Sequence, residues 1–537
     1  MGTIILGSGI SGISAGYHLE KAGEPVVIYE KDSDWGGLCG NFTIDGFRFD
    51  RFVHFTFTDD PYIKGIFQKS SPLYDHPSIS TNYYKGYWLK HPAQNNLAPL
   101  PTEDKVQIIK GFINRKEKPV EQISDYEEWL RVQFGDYFAE NFPFKYTRKY
   151  WGLEPKELET KWVGNRMHSP DLDEVLRGAF EVQDKNFYYT KYMRYPKNGG
   201  FRSILDDCRK GLDIRFNKEV VKIDPKDKVV TFKDGTTQNY TRLISSLPLP
   251  EIVKMIDGTP SEVVKAGDSL HNTCGYMISL GFKRPDVAKY LWFYIYDEDI
   301  LSSRVYSPSL KSPDNVPEGC SSLQAEVFFD CKADIPKPEI VLKNTIEKLS
   351  KMGLFTEDEI VVKDIRFEKY ANVTFDKAIY TNRQIVLDYL QSQGIESIGR
   401  FGKWEYMWTF QAFEDGMTCV NFNLFKDILI KAVNKEDFRF ALRSLLSRLN
   451  DKNLKEAEGI ISLDYVLKLV EAANFQAFIG NSEKKISSQL SAFVNSTSNR
   501  NKLLNMPFGE FLAISTQKGF NIGFGDNAVA SANSFIF

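Results

Sequence analysis

Thr3-Ile4-Ile5-Leu6-Gly7-Ser8-Gly9-Ile10-Ser11-Gly12 decides the fold. A short β-favouring run meets a glycine turn, and apolar residues at helical spacing follow from Ile13 until Gly23. Pro25 and the apolar trio Val26, Val27 and Ile28 then read as a second strand, ending at Glu30. This is a strand–helix–strand opening. Its glycines permit a tight bend and close backbone approach, so the helix N-terminus can face a pyrophosphate. Glu30 offers a carboxylate to ribose hydroxyls. A lone GxGxxG is weak; with strand, helix and acid in order it reads as a dinucleotide site rather than a structural turn.

Working outward, a second glycine pair, Gly36-Gly37, follows the acid. The set Gly7, Gly9, Gly12, Leu19, Gly23, Glu30, Gly36 and Gly37 resembles the extended fingerprint of FAD proteins in the amine-oxidase superfamily, in which the second pair returns to the cofactor. Tyr195-Pro196-Lys197-Asn198-Gly199-Gly200 is similar to that group's YPxxGG segment, and Gly399-Arg400-Phe401-Gly402 with Asp415-Gly416 to its C-terminal flavin segment. The resemblance implies FAD held by Gly7, Gly9, Gly12, Glu30, Gly36, Gly37, Val220, Gly402 and Gly416.

The expected fold class is α/β, a Rossmann-like FAD-binding domain (GR2-type) with inserted substrate domains. The FAD-binding domain is discontinuous, over residues 1–65, 191–262 and 385–430. A helical substrate domain is expected over 66–190, an antiparallel-sheet substrate domain over 263–384, and an α-helical extension over 431–537. The extension rests on amphipathic spacing at residues 437–449 and 463–473, followed by a polar stretch rich in Ser and Asn.

Composition narrows the partners. The net charge of −3 gives no global attraction to nucleic acid or acidic membranes. Six cysteines and six histidines are scattered without CxxC or HExxH spacing, so neither a disulfide framework nor a metal site is expected. No apolar run suits a membrane span or a cleavable leader, and the expected location is cytoplasmic. A homo-oligomer is left open.

Landmarks between residues 91 and 406 narrow the resemblance. They are His91-Pro92-Ala93-Gln94-Asn95-Asn96, Lys161-Trp162-Val163-Gly164-Asn165-Arg166, Trp292, Tyr294 and Arg304, Asn315-Val316-Pro317-Glu318-Gly319, and Gly399 to Tyr406. Together they resemble the UDP-galactopyranose mutase family, nearest its eukaryotic-type sequences. The resemblance implies an isomerase that interconverts pyranose and furanose forms of a nucleotide-diphosphate sugar. In that family, reduced FAD acts through flavin N5 on the anomeric carbon, with an external reductant such as NAD(P)H. It implies Arg166 and Arg304 on the diphosphate, His54 beside the flavin, and Gln94, Trp292, Tyr294 and Tyr406 on the substrate. Arginine suits that role because its planar fork stays charged and donates two hydrogen bonds. A loop near residues 197–203 is expected to close over the ligand.

The sequence departs from the family's pattern at His91, Ala93, Asn372 and Phe410, which puts base and sugar in doubt. Two other readings stay open: an FAD-dependent oxidoreductase of amine-oxidase or desaturase type, and a non-catalytic protein that binds flavin or a sugar nucleotide. Arg166, Arg304 and the Gln94-Asn95-Asn96 segment weigh against the first.

Overall fold

A computed structural model describes residues 2–419 except 165, 166, 186, 188 and 189. The extension expected at 431–537 lies outside the described residues. Strand Gly2–Leu6 runs parallel to Val26–Tyr29 on one side and to the end of Thr237–Ser245 on the other. Between the first two strands runs helix Ile10–Lys21, whose buried face covers the sheet. Asp213–Arg215 extends the parallel set beyond Val26–Tyr29, and Ile395–Ser397 joins Thr237–Ser245. The near-continuous apolar strands Gly2–Leu6 and Val26–Tyr29 are what a parallel sheet covered on its faces requires. A meander of Val220–Asp224, Val229–Phe232 and the start of Thr237–Ser245 completes this sheet of seven strands.

A second sheet of seven strands runs in the order Ile360–Val373, Asn272–Phe282, Ser321–Asp330, Arg304–Tyr306, Trp292–Ile295, Thr81–Tyr84 and Tyr87–Lys90. The second strand in that order, Asn272–Phe282, is buried along its whole length, with Ser321–Asp330 and Ile360–Val373 antiparallel beside it. The last two strands come from the stretch read as helical. Thr81–Tyr84 pairs parallel to Trp292–Ile295, so this part of the chain serves as sheet edge before turning helical.

Helices Thr102–Ile113, Tyr126–Phe134, Asp136–Asn141, Pro143–Trp151 and Leu172–Phe180 follow. Asp125 and Asp171 cap two of them, accepting from the N–H groups of Glu128 (3.0 Å) and Glu174 (2.8 Å). Their aromatic faces, with Trp129, Phe138, Phe142 and Trp151, join the main core. Among the described residues no helix is long and apolar enough to cross a membrane.

Candidate functional site

The glycine turn is built as its sequence demands. Gly7 takes a left-handed φ of 95°, and its N–H is held by the carbonyl of Tyr29 at 2.8 Å. Ser8 donates to Glu30 Oε2 from its N–H (2.8 Å) and its hydroxyl (2.7 Å), which fixes the buried carboxylate at the mouth of the turn. Gly36 donates to the carbonyl of Ser8, and Gly37 lies so near that a Cβ there would meet Gly9 Cα at 3.1 Å. The second glycine pair thus folds back on the first.

The glycines divide by what they face. A Cβ on Gly12 would lie 2.0 Å from the Gly7 carbonyl oxygen, and one on Gly416 would lie 2.3 Å from that of Ser11. Gly402 approaches the Ser245 carbonyl in the same way. These three let backbone segments touch. A Cβ on Gly9 would meet nothing within 4 Å. The helix that Gly9 opens has no side-chain cap and no acid in its first turn. The N–H groups that a first helical turn leaves without intrahelical partners, the positive end of the helix dipole and a bare glycine beside them fit a pyrophosphate. Val220 is buried in the meander, opposite Phe232.

His54 lies just past strand Phe47–Asp50. Its ring stacks on Phe201 at 5.1 Å, just past the YPxxGG segment. Burial pushes its pKa down to about 3, so it is neutral. Beneath it lies a pair that sequence reading missed: Lys311, fully buried, donates to Asp50 Oδ2 at 3.0 Å. Tyr195 and the Phe201 N–H also donate to Asp50, at 2.7 and 2.9 Å. Phe55, Tyr195 and Tyr306 wall the ammonium. The loop expected to close over the ligand is held at several points in this conformation. Gly199 N–H donates to Asp314 and Asn41 to the Gly199 carbonyl, both at 2.8 Å, while Ser203 donates to the Asn198 carbonyl at 2.7 Å.

Arg304 lies opposite Tyr294 on the neighbouring strand, and its Nε pairs with the fully buried Glu326. Tyr150 and Phe328 stand at its guanidinium, 5.4 and 5.9 Å from ring centre to Cζ. Among the described residues no hydrogen bond engages its Nη groups. Proximity to Glu326, Tyr150 and Tyr146 outweighs burial and holds its pKa well above the ordinary arginine value.

Tyr294 packs edge-on to Tyr146 (5.5 Å) and Trp292 (6.1 Å), and lies 5.0 Å from His91. Tyr406 packs with Trp151, Trp162 and Phe375 and carries Arg400 over its ring. Gln94 gives one amide hydrogen to the His168 carbonyl at 3.0 Å. Arg304, Trp292, Tyr294 and Tyr406 are linked through Tyr146 and Tyr150, which the sequence reading missed. Their i, i+4 spacing on helix Pro143–Trp151 was the available signal. Arg166 lies outside the described residues. Asn372, one of the departures, is buried and accepts from Tyr150 at 3.3 Å.

Among solved structures, reduced UDP-galactopyranose mutase matches with a TM-score of 0.73 and 24% identity, over 82% of this chain and 98% of that one. Wild-type putrescine oxidase bound to putrescine matches with a TM-score of 0.52 and 16% identity, over 77% and 97%. At such identities the likeness is one of fold. Curated relatives match over short stretches. An inactive all-trans-retinol 13,14-reductase of Danio rerio is 47% identical over 47 residues, 9% of this chain and 8% of its own length. A 4,4'-diapophytoene desaturase (4,4'-diaponeurosporene-forming) of Staphylococcus haemolyticus (strain JCSC1435) is 32% identical over 75 residues, 14% and 15% respectively. The chain therefore covers only a small part of either relative. The family described as flavin containing amine oxidoreductase matches residues 10–391. The α/β FAD-binding fold and the FAD read from the fingerprint are both borne out. The chain belongs to the flavin containing amine oxidoreductase family.

Proposed function

We propose that this flavoprotein is a mutase that interconverts the pyranose and furanose forms of a nucleotide-diphosphate sugar. The observation that carries the reading is Arg304: a largely buried guanidinium, braced by Glu326 and walled by Tyr146, Tyr150, Tyr294 and Phe328. Oxidation of an amine or a polyene gives no use to a fixed cation in an aromatic wall. A ligand with a flat base and a diphosphate uses both.

When bound, reduced FAD supplies an electron-rich ring nitrogen able to bond a sugar's anomeric carbon. The chain's own residues do the rest. Arg304 Nη groups donate to the diphosphate and stabilise the charge it gathers as it departs. Arg166 is assigned the same task by the resemblance. Trp292 and Tyr294 meet the nucleotide, and Gln94 retains an amide oxygen and one hydrogen for a base edge. Tyr406 offers its hydroxyl to phosphate or sugar. His54, neutral and stacked on Phe201, is assigned a place beside the flavin by the resemblance. The aromatic walls exclude water, which strengthens each of these contacts.

The test is to reduce the purified holoprotein with dithionite, offer a panel of nucleotide-diphosphate hexoses, and separate the products by chromatography. A furanose product supports the reading, and unchanged substrates across the panel reject it. The family itself favours a second reading, an FAD-dependent oxidoreductase. Oxygen consumption by the oxidised protein with amines would select it.

A further inference from the structure

Strand Ser321–Asp330 presents Gln324, Glu326 and Phe328 on one face, since side chains two apart point the same way. All three reach the same short turn. Gln324 Nε2 donates to the Asp50 carbonyl at 3.0 Å. Glu326 Oε1 accepts the Val53 N–H at 2.6 Å. Phe328 packs on the Phe52 ring at 5.5 Å. Phe52 itself has a φ of 63°, a left-handed conformation that a bulky residue keeps only when its surroundings impose it. The next residue but one is His54, whose Nδ1 is 3.2 Å from the Phe52 carbonyl oxygen.

Glu326 also holds Arg304 through its other oxygen, Oε2. Its carboxylate is fully buried, and its backbone carbonyl accepts from Ser303 N–H at 2.9 Å, so it has little room to shift. One rigid carboxylate therefore grips a cation of the second sheet and the backbone of the turn that follows strand Phe47–Asp50.

We propose that Glu326 is a positioning residue that couples Arg304 to the Val53–His54 turn, setting the cation that meets the ligand and the flavin-side histidine in one register. Neither oxygen can be surrendered without loss, because each satisfies a different buried donor. This deepens the reading given under Proposed function and rests on it for the roles of Arg304 and His54.

The test uses the full-length, FAD-loaded protein with Glu326→Gln and Glu326→Asp. Gln has one acceptor oxygen and must turn its amide hydrogens toward one of the two donors. Asp keeps the charge but is shorter by one methylene. Two readouts are taken: the visible absorption bands of the bound flavin, and the affinity for UDP by calorimetry. Coupling predicts that Glu326→Gln shifts the flavin bands and weakens UDP at least roughly tenfold, with Glu326→Asp intermediate in both. Flavin bands superimposable on wild type in both variants overturn the coupling, whatever happens to UDP, since a carboxylate that merely braces Arg304 would leave them unmoved. If Glu326→Gln does not fold, the Glu326→Asp spectrum decides alone. If the wild-type protein binds no UDP while the variants' bands shift, a uridine nucleotide is excluded as the ligand and the coupling of Glu326 to the Val53–His54 turn stands.

Discussion

Gly12 lies so close to Gly7 that a methyl group on it would sit 2.0 Å from the Gly7 carbonyl oxygen, whereas one on Gly9 would meet nothing within 4 Å. The same motif thus holds two kinds of glycine. Gly12→Ala is expected to destabilise the protein with or without cofactor, because backbone must move. Gly9→Ala, at an ordinary φ of −69°, is expected to leave the apoprotein's melting temperature within about a degree of wild type, as a methyl in open space displaces nothing. It should weaken FAD by an order of magnitude or more. Thermal melts of apoprotein and FAD titrations separate the two.

If the proposed mutase reading holds, Arg304→Ala is expected to cut turnover at least roughly tenfold while the flavin content of the purified protein stays at wild-type level, since one charge-stabilising donor set is lost. Arg304→Lys should recover only part, because a lysine cannot both reach Glu326 and keep a planar fork free. Normal turnover in Arg304→Ala would remove Arg304 from the mechanism.

Lys311→Met leaves the Asp50 carboxylate buried with two of its donors and no cation. Breaking a buried pair from one side costs about 3–5 kcal/mol. The double replacement Asp50→Asn with Lys311→Met should cost less than the two single changes added together, which urea unfolding of all three variants would read out.

Acid sensitivity should track buried imidazoles. His18 is fully buried, close to the Ser14 carbonyl oxygen (2.7 Å) and the Tyr62 hydroxyl (3.0 Å), and burial lowers its pKa from 6.5 to about 3. The unfolded chain therefore takes up this proton between those values and the folded one does not. Its contribution to stability is whole above pH 6.5 and drains as pH falls toward 3. His18→Asn should flatten the stability–pH slope in that window by about 1.4 kcal/mol per pH unit. Parallel slopes for the two proteins would contradict it.

What the sequence disclosed was local. The Gly7–Gly12 turn, Glu30 and the strand at residues 26–29 are neighbours in the chain, and their periodicity alone places them. The deeper parts of the site join residues far apart: Asp50 and Lys311 are separated by 261 positions, and Val53 and Glu326 by 273. Nothing in a single sequence pairs them, since an Asp, a Lys or a Glu at such positions is most often a solvated surface group. Residues 81–90 fall in the stretch expected to be helical, yet they form two strands. Only the pairing of Thr81, Asn82 and Tyr83 with Phe293, Tyr294 and Ile295 decides it. The loop near residues 197–203, expected to close over a ligand, is tied at Gly199 by Asp314 and Asn41, partners far away in the sequence.

The placement of Gly2–Leu6 between Val26–Tyr29 and Thr237–Ser245 has a consequence for the order of synthesis. One neighbour leaves the ribosome almost at once; the other does not exist until residue 245 has been made. Through that interval the nascent fingerprint strand has an open parallel edge, the kind of surface on which incomplete chains associate. Slowing translation over the intervening residues would prolong this exposure, so the yield of soluble protein should depend on elongation rate more than on the stability of the finished fold.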